Sequence, residues 1–129
     1  MPGPYVCEAS SLTESTTPFG HGQCVDLVRT ITHAPQTSLW REGAKLADAI
    51  RTADGIAPGT AIATFFDGAY PSNASGNHAA IFMSAAEDLA SVRVFDQWVG
   101  QTPHFRNLIF NRPGQHSASD RAEAFSIIL

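Results

Sequence analysis

A cysteine that ends a glycine-rich turn and opens a helix is placed for nucleophilic chemistry, and the stretch Gly20-His21-Gly22-Gln23-Cys24-Val25-Asp26-Leu27-Val28-Arg29 has that form. Cys24, Leu27, Val28 and Ile31 fall at i, i+3, i+4 and i+7, one apolar stripe of an amphipathic helix, with Asp26, Arg29, Thr30 and His33 off the stripe. The sulfur then heads the buried stripe at the edge of the core. At a helix start the unpaired backbone N–H groups and the positive pole favour an anion, which raises the thiolate fraction. Gly20 and Gly22 allow a sharp turn and a close approach to substrate. A cysteine there also suits a small buried hydrophobe, so its partners must decide.

A thiol nucleophile needs a base to take its proton and return it to a leaving amine, and the base needs a group that fixes its ring. His78 begins an apolar run just after a polar loop, which puts its ring at a sheet edge. Asp96 follows 18 residues later in the next run, a separation that a hairpin closes. Its parity groups it with Val92, Val94 and Trp98, a largely apolar face where a carboxylate needs a hydrogen-bonded partner. Gln97 is the alternative third residue if the register slips by one. His78 alone would suit a loop cap, and Asp96 alone a turn cap. Gln23 stands where a backbone or side-chain donor could meet an oxyanion, and it also suits an exposed turn. His21 and Cys24 have the spacing of half a zinc site, but no second pair follows, so neither a metal nor another cofactor is expected. His33, His104 and His116 read as surface or loop residues.

The elements that must hold these groups change character along the chain. Residues 8–19 are rich in Ser and Thr and read as an irregular approach with one short helical turn. The helix opened by Gly22 should stop near His33, because Pro35 cannot extend it. A short helix is expected within 44–52. Thr60 to Phe66, His78 to Met83 and Val92 to Val99 have strand composition, the last two as an antiparallel hairpin. Phe105 to Phe110 and Phe125 to Leu129 are weaker strands around the loop Asn111-Arg112-Pro113-Gly114. Asp67 to Asn77 is a long polar loop whose Asp67, Tyr70, Asn73 and Asn77, together with Gly22, are candidates to line a substrate groove. Helices first and an antiparallel sheet afterwards predict an α+β domain.

At 129 residues the chain has the size of one domain, 1–129, with a single core. A formal net charge of -4 without a basic stripe argues against nucleic acid as a partner. No apolar segment approaches the roughly 20 residues of a membrane span, and the start Met1-Pro2-Gly3-Pro4-Tyr5 lacks the regions of a secretory signal. Synthesis in the cytoplasm and no stable membrane association are expected. The two cysteines, Cys7 and Cys24, are expected to be free thiols, since a bridge would mask the nucleophile and a chain without an export signal usually stays reduced.

Taken together, Gly22-Gln23-Cys24 opening a helix, Gly59-Thr60-Ala61-Ile62-Ala63-Thr64-Phe65, Gly76-Asn77-His78-Ala79-Ala80-Ile81 and Asp96-Gln97-Trp98 resemble the NlpC/P60 and CHAP-like cysteine peptidases. Among these the pattern is most similar to the small type VI secretion amidase effectors, in particular their third family. The resemblance covers about Gly20 to Val99. It implies a papain-like core, with the Cys-bearing helix packed on an antiparallel sheet, and cleavage of amide bonds in peptidoglycan stem peptides or cross-links. By position it makes Cys24 the nucleophile and His78 the base. The assignment of Asp96 as third residue comes from strand pairing. For the third family it further implies the cross-link between meso-diaminopimelate and D-alanine, and a cognate immunity protein that blocks the site. An effector carried by a type VI machine into the periplasm of a target cell needs no signal peptide, which fits the amino terminus.

Overall fold

The computed structural model describes residues 3–71 and 76–129. In chain order it contains helix α1 (Cys24–Thr32), strand β1 (Glu42–Lys45), helix α2 (Leu46–Ala49), and strands β2 (Thr60–Thr64), β3 (Ala79–Ala85), β4 (Ser91–Trp98), β5 (Gln101–Ile109) and β6 (Phe125–Ile128). Short 3-10 turns occupy Ala9–Ser11, Thr37–Leu39, Ala118–Asp120 and Ala122–Ala124. Among the described residues the six strands make one antiparallel sheet in the order β1-β6-β2-β3-β4-β5. This is the α+β arrangement expected from the order of elements.

Both faces of the sheet are covered. Residues of one parity, Ala61, Ala63, Ala79, Ile81 and Phe95, pack with Leu27 and Val28 of α1 and with Trp40 and Tyr70. Those of the other, Ile62, Ala80, Phe82, Val92, Val94, Leu108 and Phe125, pack with Leu46 and Ile50 at α2 and with Ala122. The strict alternation of apolar and polar positions is therefore lost in the middle of the sheet. Phe95, Asp96 and Gln97 are consecutive and all buried.

Helix α1 ends as the sequence requires. His33 closes it in the left-handed conformation with φ 62°, and its N–H donates to the carbonyl of Arg29 at 3.0 Å. The helical turn at Ala9–Ser11, the short α2 and the β3–β4 hairpin also match expectation.

Two elements depart from it. Strand β1 reads Glu-Gly-Ala-Lys and has no strand periodicity; it forms because β6 offers it a free edge, pairing Glu42 with Ile128 and Lys45 with Ser126. Strand β5 begins at Gln101 rather than near Phe105, although Pro103 lies within it. It is the outer strand at its end of the sheet, where a proline that donates no hydrogen bond is tolerated. The early start brings His104 opposite Asp96, so His104 is a half-buried strand residue and not a loop histidine.

Candidate functional site

The glycine turn before α1 is tied down from two sides. The Asp26 carboxylate accepts hydrogen bonds from the N–H groups of His21 at 2.9 Å and Gln23 at 3.3 Å. Gly20 and Gly22 have φ of +53° and +85°, and a Cβ on Gly20 would come within 2.9 Å of Asp26 Cβ. From the sheet side, Gln97 clamps the same turn. Its Oε1 accepts from Phe19 N–H at 2.9 Å, and its Nε2 donates to the carbonyls of Phe19 at 2.9 Å and Gln23 at 2.8 Å. The result holds Cys24, half-buried, at the first position of α1.

His78 is placed by strand β2. Its N–H donates to Thr64 Oγ1 at 3.0 Å, and its carbonyl accepts from Thr64 N–H at 2.9 Å, one residue before β3 begins. Strand pairing then supplies the carboxylate. Ile81 lies opposite Phe95, so continuing the register puts Ala80 opposite Asp96 and His78 on the same face, one diagonal step away. The distance from His78 Nε2 to Asp96 Oδ2 is 2.7 Å. An ionised carboxylate only accepts, so Nε2 carries the hydrogen and Nδ1 is left for the sulfur.

The sulfur and the imidazole lie near enough for each to shift the protonation of the other. Tyr70 Oη lies 3.7 Å from Cys24 Sγ and accepts a hydrogen bond from Asn77 Nδ2 at 3.0 Å. The electrostatics follow from these contacts. Burial pushes the Cys24 thiol up, yet the hydrogen bond and charge of His78, the N–H of Ala79 and the Tyr70 hydroxyl together bring it below the ordinary thiol range. Burial also works against a charged His78, but the hydrogen bonds of Asp96 and Cys24 and their charges raise it to about 9. For Tyr70, burial and the nearby sulfur act in the same direction, and its phenol is raised well above the usual value. These shifts favour a thiolate beside an imidazolium at neutral pH, a pair suited to attack on a carbonyl and return of a proton.

The structure brings Cys24, His78 and Asp96 together and places the other sequence candidates around or away from them. Gln97 lies on the opposite face of the sheet from Asp96, engaged with the glycine turn, so it does not reach His78 in the place of Asp96. Gln23 is exposed, and its N–H is already engaged by Asp26. The N–H of Cys24, at the first helical position, is the nearby backbone donor without an intrahelical partner. Tyr70 and Asn77 join the site. Asp67 stands on an exposed turn between the bridge-paired Phe66 and Ala69. Asn73 lies outside the described residues. Cys7 and Cys24 are both free thiols. Among the described residues no group of three or more His, Cys, Asp or Glu side chains is arranged to hold a metal ion.

Sequence reading missed Arg106. Its Nε donates to the same Asp96 Oδ2 at 2.9 Å. Arg106 stands two residues beyond His104 on β5, and the signal was there only if the strand had been started early enough to bring it beside Asp96. A cavity of about 480 Å³ opens beside His78 and is lined also by Asn77, Trp98, Arg106, Ser119 and Asp120.

An N-terminal helix that carries a cysteine onto an antiparallel sheet bearing a histidine and a carboxylate is the papain-like arrangement. A family model described as domesticated amidase effector 2 matches residues 3–128. The chain is 40% identical over 96 residues to a type VI secretion amidase effector 2 protein of Salmonella typhi, spanning 74% of this chain and 68% of that protein. A solved structure of a type 6 secretion amidase effector 2 (Tae2) superposes with a TM-score of 0.79 and 31% identity, covering 98% of this chain and 94% of the other. The chain belongs to the domesticated amidase effector 2 family of type VI amidase effectors. Sequence patterning had pointed to effectors of the third family, whereas these matches are to the second.

Proposed function

We propose that this protein hydrolyses amide bonds of bacterial peptidoglycan by thiol chemistry and acts as an antibacterial type VI secretion effector in the periplasm of a target cell. The observation that carries the reading is a half-buried thiol at a helix start, beside an imidazole that lowers its pKa and is itself held at 2.7 Å by a buried carboxylate. The relatives are named as secreted amidases, which supports the substrate class.

In this mechanism Cys24 thiolate attacks the amide carbonyl and forms a carbon–sulfur bond. The N–H of Cys24 and the Tyr70 hydroxyl are the donors nearest the developing oxyanion. Imidazolium His78 gives its proton to the leaving nitrogen, the carbon–nitrogen bond breaks, and an acyl thioester remains. His78 then takes a proton from water, whose oxygen displaces the sulfur and releases the carboxylic acid. Asp96 keeps the ring in the productive tautomer throughout. The cavity beside His78 supports entry of the amine side of the substrate there, with Asn77 and Trp98 along its wall.

The finer assignments belong to the same proposal. The meso-diaminopimelate to D-alanine cross-link, first suggested by the likeness to the third family, is carried over as the bond cut by this second-family effector; residues 1–129 form one catalytic domain, no metal takes part, and a cognate immunity protein binds over the site. Digestion of purified sacculi followed by mass spectrometry of the fragments tests activity and bond together. Wild-type protein should convert cross-linked dimers to monomers, and Cys24→Ala should leave the profile unchanged while keeping its unfolding midpoint. Turnover retained by Cys24→Ala would defeat the thiol mechanism, and cleavage within stems would reassign the bond.

A further inference from the structure

The carboxylate that orients His78 is itself shared. Asp96 is fully buried, and its Oδ2 receives both the imidazole Nε2 at 2.7 Å and Arg106 Nε at 2.9 Å. The remaining nitrogens of Arg106 are anchored on the 3-10 turn Ala118–Asp120. Nη1 donates to Asp120 Oδ1 at 3.1 Å and Nη2 to the Ser119 carbonyl at 3.0 Å. The guanidinium carbon also lies 5.1 Å from the centroid of the Trp98 ring. Three nitrogens of one side chain are thus fixed, and the arginine cannot turn away from Asp96 without breaking all of these contacts.

That geometry has an electrostatic consequence. A carboxylate beside an imidazole stabilises the protonated ring, and a permanent cation a few ångströms further on opposes it. A general acid must keep its proton through the attack and then release it to the amine, so a ring held too strongly in its charged form is a poor donor. Asp120 in turn offsets part of the charge of Arg106. We propose that Arg106 is a positioning residue of this site, which shares the Asp96 oxygen with His78 and so sets how firmly the imidazole holds its proton, with Asp120 moderating that control.

The groups that face His78 from the packed elements are few. Cys24 of α1 and Asp96 of β4 act on it directly, Tyr70 from the segment after β2 lies on Cys24, His104 and Arg106 of β5 lie on Asp96, and Asp120 of the turn beyond lies on Arg106. His104 Nδ1 is directed to the carbonyls of Asp96 and Thr102, each at 3.1 Å, and stands 3.9 Å from Asp96 Oδ1. It is unaltered in the variants considered below. The 4.9 Å stacking of Arg93 on Phe105 lies further along the β4–β5 pair and leaves Arg106 as the guanidinium on Asp96.

The inference rests on the thiolate–imidazolium reading of the site but not on the substrate. It is tested with iodoacetamide, following alkylation of Cys24 by mass spectrometry as a function of pH in the full chain, with Cys7 as the internal comparison. Alkylation needs no peptidoglycan, so an inactive preparation still reports. If wild-type Cys24 shows only one transition, at the same pH as Cys7, the thiolate reading fails, and with it the basis for this inference. If Cys24 is activated but peptidoglycan is untouched, only the substrate reading fails.

Two substitutions of opposite charge effect then decide the role of Arg106. Arg106→Gln removes a cation, so both Cys24 and His78 should titrate at higher pH, by roughly one pH unit. Asp120→Asn removes an anion at a partly exposed position, and both transitions should move to lower pH by a smaller amount. Arg106→Lys, which keeps the charge, should restore the wild-type transitions. Shifts in the same direction for the Gln and Asn variants, or a loss of rate with no movement of either transition, would show that Arg106 merely supports the fold. Should Arg106→Gln fail to fold, the downward shift of Asp120→Asn decides, and its absence would overturn the proposal.

Discussion

At the scale of single residues, His78 is the group whose environment does most to define the site. It is only 4% exposed, yet its pKa is raised to about 9 from an ordinary 6.5 because Asp96 and Cys24 outweigh the cost of burial. A raised pKa means the folded chain holds a proton that the unfolded chain has already released. The contribution to stability is complete below about pH 6.5, declines between that value and about 9, and is lost above it. Cys24 gives up a proton over the same window, so the linkage is read without the thiol: the thermal midpoint of Cys24→Ala should fall more steeply across it than that of Cys24→Ala/His78→Gln, as read by circular dichroism at matched ionic strength. Equal slopes would mean that the imidazole is neutral in the folded state. Cys24, His78 and Asp96 were legible in the sequence because each side chain stands at a position of definite geometry: a helix start, a strand start and a known parity. Arg106 was not legible, because arginine on a strand is ordinarily a solvated residue and only its neighbours change that meaning.

At the scale of elements, the turn from Phe19 to Gln23 depends on β4. Gln97 makes three hydrogen bonds to it, two of them to the carbonyls of Phe19 and Gln23, which also accept from Gly22 N–H and Asp26 N–H within the turn. Sequence reading paired Gln97 with His78 as an alternative to Asp96, but successive strand residues point to opposite faces, and the two do different work. Asp96 holds His78, and Gln97 holds the turn that carries Cys24. Gln97→Ala should cost about 2 kcal/mol in urea unfolding. It should also reduce the rate of Cys24 alkylation by iodoacetamide at neutral pH, while the titration of His78 by NMR stays near its wild-type position. Loss of the His78 shift instead would place Gln97 in the base network. Strand β1 shows the opposite case to this legible pair. Its four residues have no alternation to read, and the free edge of β6 makes them a strand.

At the scale of the whole molecule, the site is assembled where the two faces of the sheet meet at the start of β3. Cys24 arrives with α1 on one face, whereas Asp96 lies on the other with Val92 and Val94, and His78 bridges them from the strand end. The α1 face is closed by Trp40, 1% exposed, whose Nε1 donates to the Pro35 carbonyl at 2.9 Å and whose ring meets Tyr70 edge-on at 5.0 Å. Trp40→Ala should destabilise the fold by about 3–5 kcal/mol in denaturant titration. It should also raise the pH at which Cys24 ionises, because Tyr70 loses the wall that holds its hydroxyl 3.7 Å from the sulfur. An unchanged Cys24 titration in the folded variant would show that Asn77 alone keeps Tyr70 in place.

Local physics acting over a few residues determined the helix start, the strands of the hairpin and the identity of the three side chains, since capping, proline exclusion and two-residue alternation are all written in adjacent positions. Only the tertiary structure decided between Asp96 and Gln97, recruited Arg106 and Asp120 behind the carboxylate, and made strands of Glu42–Lys45 and of the chain around Pro103. Those outcomes depend on which edge of the sheet is free and which faces are covered, and such properties exist only once distant segments have met.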